Sequence, residues 1–116
     1  MRAIALGAAL ILGAMIPLAG CASASDSPVG TWGDPDVAYL ELGPDGALSG
    51  SDGCNRLSGS WESDGPAVTF VGVAVTMRAC VDVDDWLGRL DTAEVDRDSM
   101  TVFNRAGEQI GILDRN

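Results

Sequence analysis

The chain has 116 residues, with 17 acidic side chains against 7 basic ones, no histidine and a formal net charge of −10. That length holds one domain, and that charge argues against nucleic-acid binding and against electrostatic attraction to anionic lipid heads. Every cation is an arginine; without histidine or lysine, Ser-His-Asp, Cys-His and Ser-Lys nucleophile arrangements are excluded.

After Met1 and Arg2, residues 3–16 form an apolar run of 14 residues. A membrane span needs about 20, so the run reads instead as the h-region of a secretory signal. It leads into Leu18-Ala19-Gly20-Cys21, which looks like a bacterial lipobox, whose cysteine is lipidated and becomes the new N-terminus. The alternative is an ordinary signal peptide with a cysteine near its cleavage site. The lipobox reading makes residues 1–20 a signal peptide, 21–28 a lipidated N-terminus with a short flexible tether, and 29–116 the folded domain. Cleavage leaves 96 residues and, with Arg2 gone, a balance of −11. The protein is then exported and anchored by acyl chains on Cys21. It sits on the outer face of the cytoplasmic membrane, or in an outer membrane if the host has one.

Residues 29–33 open a strand in which Trp32 closes one end of the core. Asp34-Pro35-Asp36 has turn chemistry. Residues 37–42 alternate, with Val37, Tyr39 and Glu41 set against Ala38, Leu40 and Leu42, and predict a half-buried strand. Gly43-Pro44-Asp45-Gly46 turns the chain back into residues 47–51 as a hairpin. Residues 50–59, GSDGCNRLSG, carry three glycines with Asp52 and Asn55 and form the next reversal. Residues 56–62 are a third arm with Leu57 and Trp61 on one side, and Ser63-Asp64-Gly65-Pro66 turns it. Residues 67–71 are a strand ending at Gly72, and residues 73–79 are a less regular extended piece that delivers Cys80.

A helix is expected next. Asp82 is its N-cap, with Asp85 three residues on, and Trp86, Leu87, Leu90 and Ala93 fall on one face. Gly88 weakens it, which limits it to two or three turns. Residues 93–95, 100–104 and 109–113 alternate as strands, the last two joined through residues 104–107. The expected fold is α+β and mostly β: a small antiparallel, barrel-like sheet of seven or eight short strands with one short amphipathic helix.

In an oxidising compartment, lipidation of Cys21 leaves Cys54 and Cys80 as a pair. A disulfide between them closes a 27-residue loop and stabilises the fold by roughly 3.5 kcal/mol. A metal-binding thiol is the weaker alternative, since there is no histidine and no CxxC. Asp82, Asp84 and Asp85 do not make a calcium loop, because Leu87 and Ala93 stand where glycine and glutamate are required. No spacing singles out a carboxylate pair for glycosidase-type chemistry. The chain is read as non-catalytic, without cofactor or metal, and as a monomer.

Two binding readings remain. Arg56 and Arg78 lie near opposite ends of the proposed disulfide; with the donors of Asn55 they can receive a carboxylate or phosphate. The alternative is that Asn55 caps its turn and each arginine pairs with a nearby Asp. Trp86, Leu87 and Leu90 can likewise line a cavity for a hydrophobic ligand between helix and sheet, or Trp32, Trp61 and Trp86 can simply plug the core. Thr76 reads as an ordinary strand residue.

The turn Gly53-Cys54-Asn55-Arg56-Leu57-Ser58-Gly59, followed by Thr76-Met77-Arg78-Ala79-Cys80 and preceded by Gly30-x-Trp32, resembles the META/HslJ family of small bacterial envelope proteins. The resemblance covers residues 29–113. It implies the same barrel-like sheet with one packed helix, and a role in envelope integrity under stress. The leading reading is therefore a non-catalytic, membrane-anchored envelope lipoprotein that binds a partner or supports the envelope. Its rivals are a module for a hydrophobic ligand and an acidic surface protein that binds or inhibits a cationic protein.

Overall fold

The computed structural model describes residues 27–116; the expected signal peptide, Cys21 and most of the expected tether lie outside the described residues. Eight strands follow one another as β1 (Gly30–Asp34), β2 (Ala38–Leu42), β3 (Ala47–Ser51), β4 (Arg56–Asp64), β5 (Ala67–Val75), β6 (Thr92–Asp96), β7 (Ser99–Phe103) and β8 (Gln109–Asp114). Each pairs antiparallel with its sequence neighbour, so spatial order equals chain order. Such an up-and-down meander needs only short connections, which the Gly-, Pro- and Asp-rich turns supply. The sheet curls until β8 returns to β1, where Trp32 bridges to Arg115 and the Asn116 amide donates to the Thr31 carbonyl at 2.9 Å. The result is a nearly closed barrel.

The alternation read in residues 37–42 is realised in β2, where Ala38, Leu40 and Leu42 point inward. With Trp32, Leu48, Leu57, Val68, Phe70, Ala93, Val95, Met100, Val102 and Leu113 they form one apolar core. Each large aliphatic side chain buried there is worth about 1.5–3 kcal/mol relative to exposure. Trp32 is fully buried; its indole N–H donates to the Pro28 carbonyl at 2.9 Å.

β5 does not stop at Gly72. It runs to Val75, and one extra residue on its side produces a bulge opposite Gly59. Gly72 sits at φ +60°, and a Cβ on Gly59 would lie 2.9 Å from the Val73 Cα, so both glycines serve this crossing. The extra residue also reverses the alternation. Val68 and Phe70 face inward before the bulge, Val73 and Val75 after it. That reversal is why residues 73–79 read as irregular in sequence.

The expected amphipathic helix is not formed. The segment after Cys80 contains a single 3-10 turn, Trp86–Arg89. Asp82, the expected N-cap, is in the left-handed region at φ 61°, and Asp85 at the start of the turn makes no side-chain capping bond. Ala93 belongs to β6, paired with Val68 and Val102. The apolar spacing is used differently: Leu87 is buried in the core, with Trp86 and Leu90 half-buried against it. Three residues per turn put Leu87 and Leu90 on one side without a longer helix. The fold is all-β in its regular elements.

Candidate functional site

The turn between β3 and β4 is built around a buried carboxylate. Asp52 is 2 % exposed. Its Oδ1 accepts from the amides of Cys54 and Asn55, and its own amide donates to the Asn55 carbonyl at 3.0 Å. This Asx-type closure is why the turn carries a side-chain oxygen acceptor there, where the sequence by itself marks Asp52 only as a turn residue. Gly53 follows at φ +97°, where a Cβ would meet the Val37 carbonyl at 2.8 Å.

Asn55 then reaches across to the strand end that follows β5. Its Oδ1 accepts from the Arg78 amide at 2.7 Å and from the Thr76 hydroxyl at 3.0 Å; its Nδ2 donates to the Arg78 carbonyl at 3.2 Å. The Thr76 Oγ1 in turn accepts from the Arg56 amide at 2.9 Å, and the Thr76 amide donates to the Arg56 carbonyl. Thr76 is thus a linking residue, not an ordinary strand position. Beside this net Cys54 and Cys80 are joined by a disulfide, with Cα atoms 5.9 Å apart. Backbone, side-chain and covalent links therefore tie residues 54–56 to 76–80 at one end of the barrel.

The outward side chains of β2, β3 and β4 meet that tie in an open cleft of about 610 Å³. Tyr39, Ser49, Ser51 and Ser58 supply hydroxyls, and Arg56 and Arg78 the charge. No carboxylate lines it. The ion pairs among the described residues are Arg89 with Asp85 and Arg115 with Asp98, so neither Arg56 nor Arg78 has the expected Asp partner.

The model for the META domain matches residues 22–115. The chain belongs to the META domain family. No curated protein and no solved structure gives a significant match.

Within this META domain the paired motifs are mainly a structural tie, and the predicted site residues separate accordingly. Asn55 is 6 % exposed and its hydrogen bonds go to residues 76–78, so it positions Arg78 at the border of the cleft. Arg56 and Arg78 are brought together on one cleft, as one of the two readings of the sequence has it. Trp86 lies elsewhere, with ring atoms 2.5 Å from where a Gly111 Cβ would stand. It borders a groove with Val37 and Ile112, Leu90 borders a separate one with Phe70 and Arg105, and Leu87 fills the core. Among the described residues the three thus border different surroundings. Gly59 belongs to the β4–β5 crossing and Gly53 to the turn. Tyr39, Ser49, Ser51 and Ser58 were not singled out from sequence, because a hydroxyl on the outer face of a strand carries no local signal.

Proposed function

We propose that this META domain is a non-catalytic binding module, exported and anchored through acyl chains on Cys21, that holds a small carboxylate- or phosphate-bearing ligand between Arg56 and Arg78. The observation that carries this reading is the charge of the cleft: on a chain with 17 acids and 7 bases, its only charged lining residues are two arginines. Planar guanidinium groups match carboxylate and phosphate oxygens, and the surrounding hydroxyls add neutral donors. The tie through Asn55, Thr76 and the disulfide fixes the backbone of both arginines, which lowers the ordering cost of binding. The leader pattern supports anchoring, and a short tether would keep the domain close to the membrane. Support of the envelope under stress would then follow from capture of such a ligand.

The test is titration of the isotope-labelled protein with inorganic phosphate and with a dicarboxylate. Saturable shifts centred on Arg56 and Arg78 are expected, and Arg56→Gln with Arg78→Gln should weaken binding by at least about tenfold, given the strength of hydrogen bonds to charged groups. Shifts that do not saturate, or that spread equally to Arg97 and Arg105, would reject the site. Cys21→Ser tests the anchor: the variant is expected in the soluble fraction, and a variant that stays on the membrane with unchanged mobility refutes lipidation.

A further inference from the structure

The barrel is closed at only part of one seam. Between β1 and β8 the backbone links are the Trp32–Arg115 bridge and the bond from the Asn116 amide to the Thr31 carbonyl; the Asn116 side chain adds one bond to the Gly33 carbonyl at 3.1 Å. Beyond that point β1 ends at Asp34 and the chain turns into β2, while β8 extends back through Ile112 to Gln109. β8 is the last strand of the sheet order, so this part of it is a free edge among the described residues.

Which backbone groups face that edge follows from alternation. The Arg115 amide donates towards β7, to the Asp98 carbonyl, and the Asn116 amide donates towards β1. Two-residue periodicity then turns the N–H and C=O groups of Ile112 and Asp114 to the same side as those of Asn116. The Asp114 carbonyl is taken by the Gly33 amide in the Trp32–Arg115 bridge, which leaves the N–H and C=O of Ile112 and the N–H of Asp114 on the open side. Ile112 and Asp114 lie opposite Thr101 and Ser99 of β7, as non-hydrogen-bonded pairs in this phase, and no turn or loop among the described residues bonds to them there.

A groove of about 410 Å³ runs along this edge, lined by Gly33, Asp34, Val37, Trp86, Ile112 and Asp114 among others. Val37 is 65 % and Ile112 54 % exposed, an unusual exposure for two β-branched apolar residues beside a half-buried tryptophan. Its charged rim is acidic, with Asp34 and Asp114. The one cation there, Arg115, is turned onto the Trp32 ring at 4.2 Å and onto the carbonyls of Ser27, Val29 and Arg97.

We propose that this open half of the seam receives an extended segment of a partner protein, added as a further strand on the edge of β8, with an apolar and a basic residue two positions apart on the face it shares with Ile112 and Asp114. Unpaired strand edges are templates for strand addition. Ile112 and Asp114 share one face of β8, so an apolar side chain of the segment packs on Ile112 and a basic one two positions along meets Asp114, with Val37, Trp86 and Asp34 bordering the same groove. Charge complementarity favours such a segment over a second copy of this chain, whose net charge is −10. The surface is distinct from the Arg56–Arg78 cleft and does not depend on it.

The probe is a short acetylated peptide in which valine and lysine take turns at every second position with serine between them, titrated into the isotope-labelled full chain in neutral detergent. The control is the same peptide N-methylated at alternate amides. Saturable shifts are expected at Gly33, Ile112, Asp114 and the Trp86 indole, with affinity about tenfold lower for the methylated peptide, which loses its strand bonds. Ile112→Pro removes an N–H on the unpaired side only and should abolish binding. Should that variant not fold, Asp34→Asn with Asp114→Asn should weaken binding and flatten its salt dependence. Equal affinity for the two peptides, shifts centred elsewhere, or no saturable binding would overturn the proposal. Concentration-dependent broadening of the same residues without peptide would also overturn it, in favour of a second copy of the chain.

Discussion

Asn55→Ala tests whether the paired motifs work as a clamp. The side chain makes three hydrogen bonds, two of them to the backbone of Arg78, from a position only 6 % exposed. A net 0.5–1.5 kcal/mol per bond, reduced where water reaches the exposed Arg78, gives a loss of about 2–3 kcal/mol. For a domain of this size that is a drop in midpoint temperature of roughly 10–20 °C. Urea unfolding of the oxidised protein measures it, with an unchanged m-value showing that the same surface is exposed. Amide exchange adds a local readout: the Arg78 N–H should lose protection while Leu40 in the core keeps it. Asn55→Asp retains the acceptor oxygen but turns a carboxylate oxygen onto the Arg78 carbonyl where Nδ2 donates, and should cost at least as much as the alanine change. A loss below about 0.5 kcal/mol, within the range of ordinary surface substitutions, or unchanged protection at Arg78, would refute the clamp.

Replacing the disulfide by Cys54→Ser with Cys80→Ser should lower stability by about 3.5 kcal/mol, for a loop whose ends are 26 positions apart; an unchanged urea midpoint would contradict it. Gly111→Ala places a methyl group 2.5 Å from the Trp86 ring. Displacing the ring should red-shift the tryptophan emission and cost about 1–3 kcal/mol; an unshifted spectrum would mean that Trp86 does not cover this strand. Arg115→Ala removes the cation over Trp32 and donors to three carbonyls. It should destabilise the domain by about 2–4 kcal/mol and expose residues 27–29 to proteolysis, and a protease-resistant variant of unchanged stability would refute its closing role.

The strands were largely legible in the sequence because each carries its own local evidence. Ala38, Leu40 and Leu42 alternate inward, Gly43 to Gly46 spell a turn, and the Cys54–Cys80 pair is bonded as the cysteine count suggested. Alternation and turn chemistry act over a few residues, so a single chain read in order reports them. The disagreements all arise where a distant residue decides. Trp86, Leu87 and Leu90 have helical spacing, yet Asp82 takes a left-handed conformation and the segment makes one 3-10 turn. What holds it is Gly111 beneath Trp86 and the Asp52 carboxylate beside Gly88, neither of them a neighbour in sequence. The bulge at Gly59 and Gly72 is similar, since its reversal of alternation exists only when β4 and β5 are paired. So it is with the two surfaces. Composition and spacing identify Arg56 and Arg78 as conspicuous cations, but the absence of an acid from their cleft is a property of packing. The free edge of β8 depends on where the barrel fails to close, which is set by the lengths of β1 and β8 once the sheet has curled. Short-range pattern determined the elements, and long-range contact determined what they leave open.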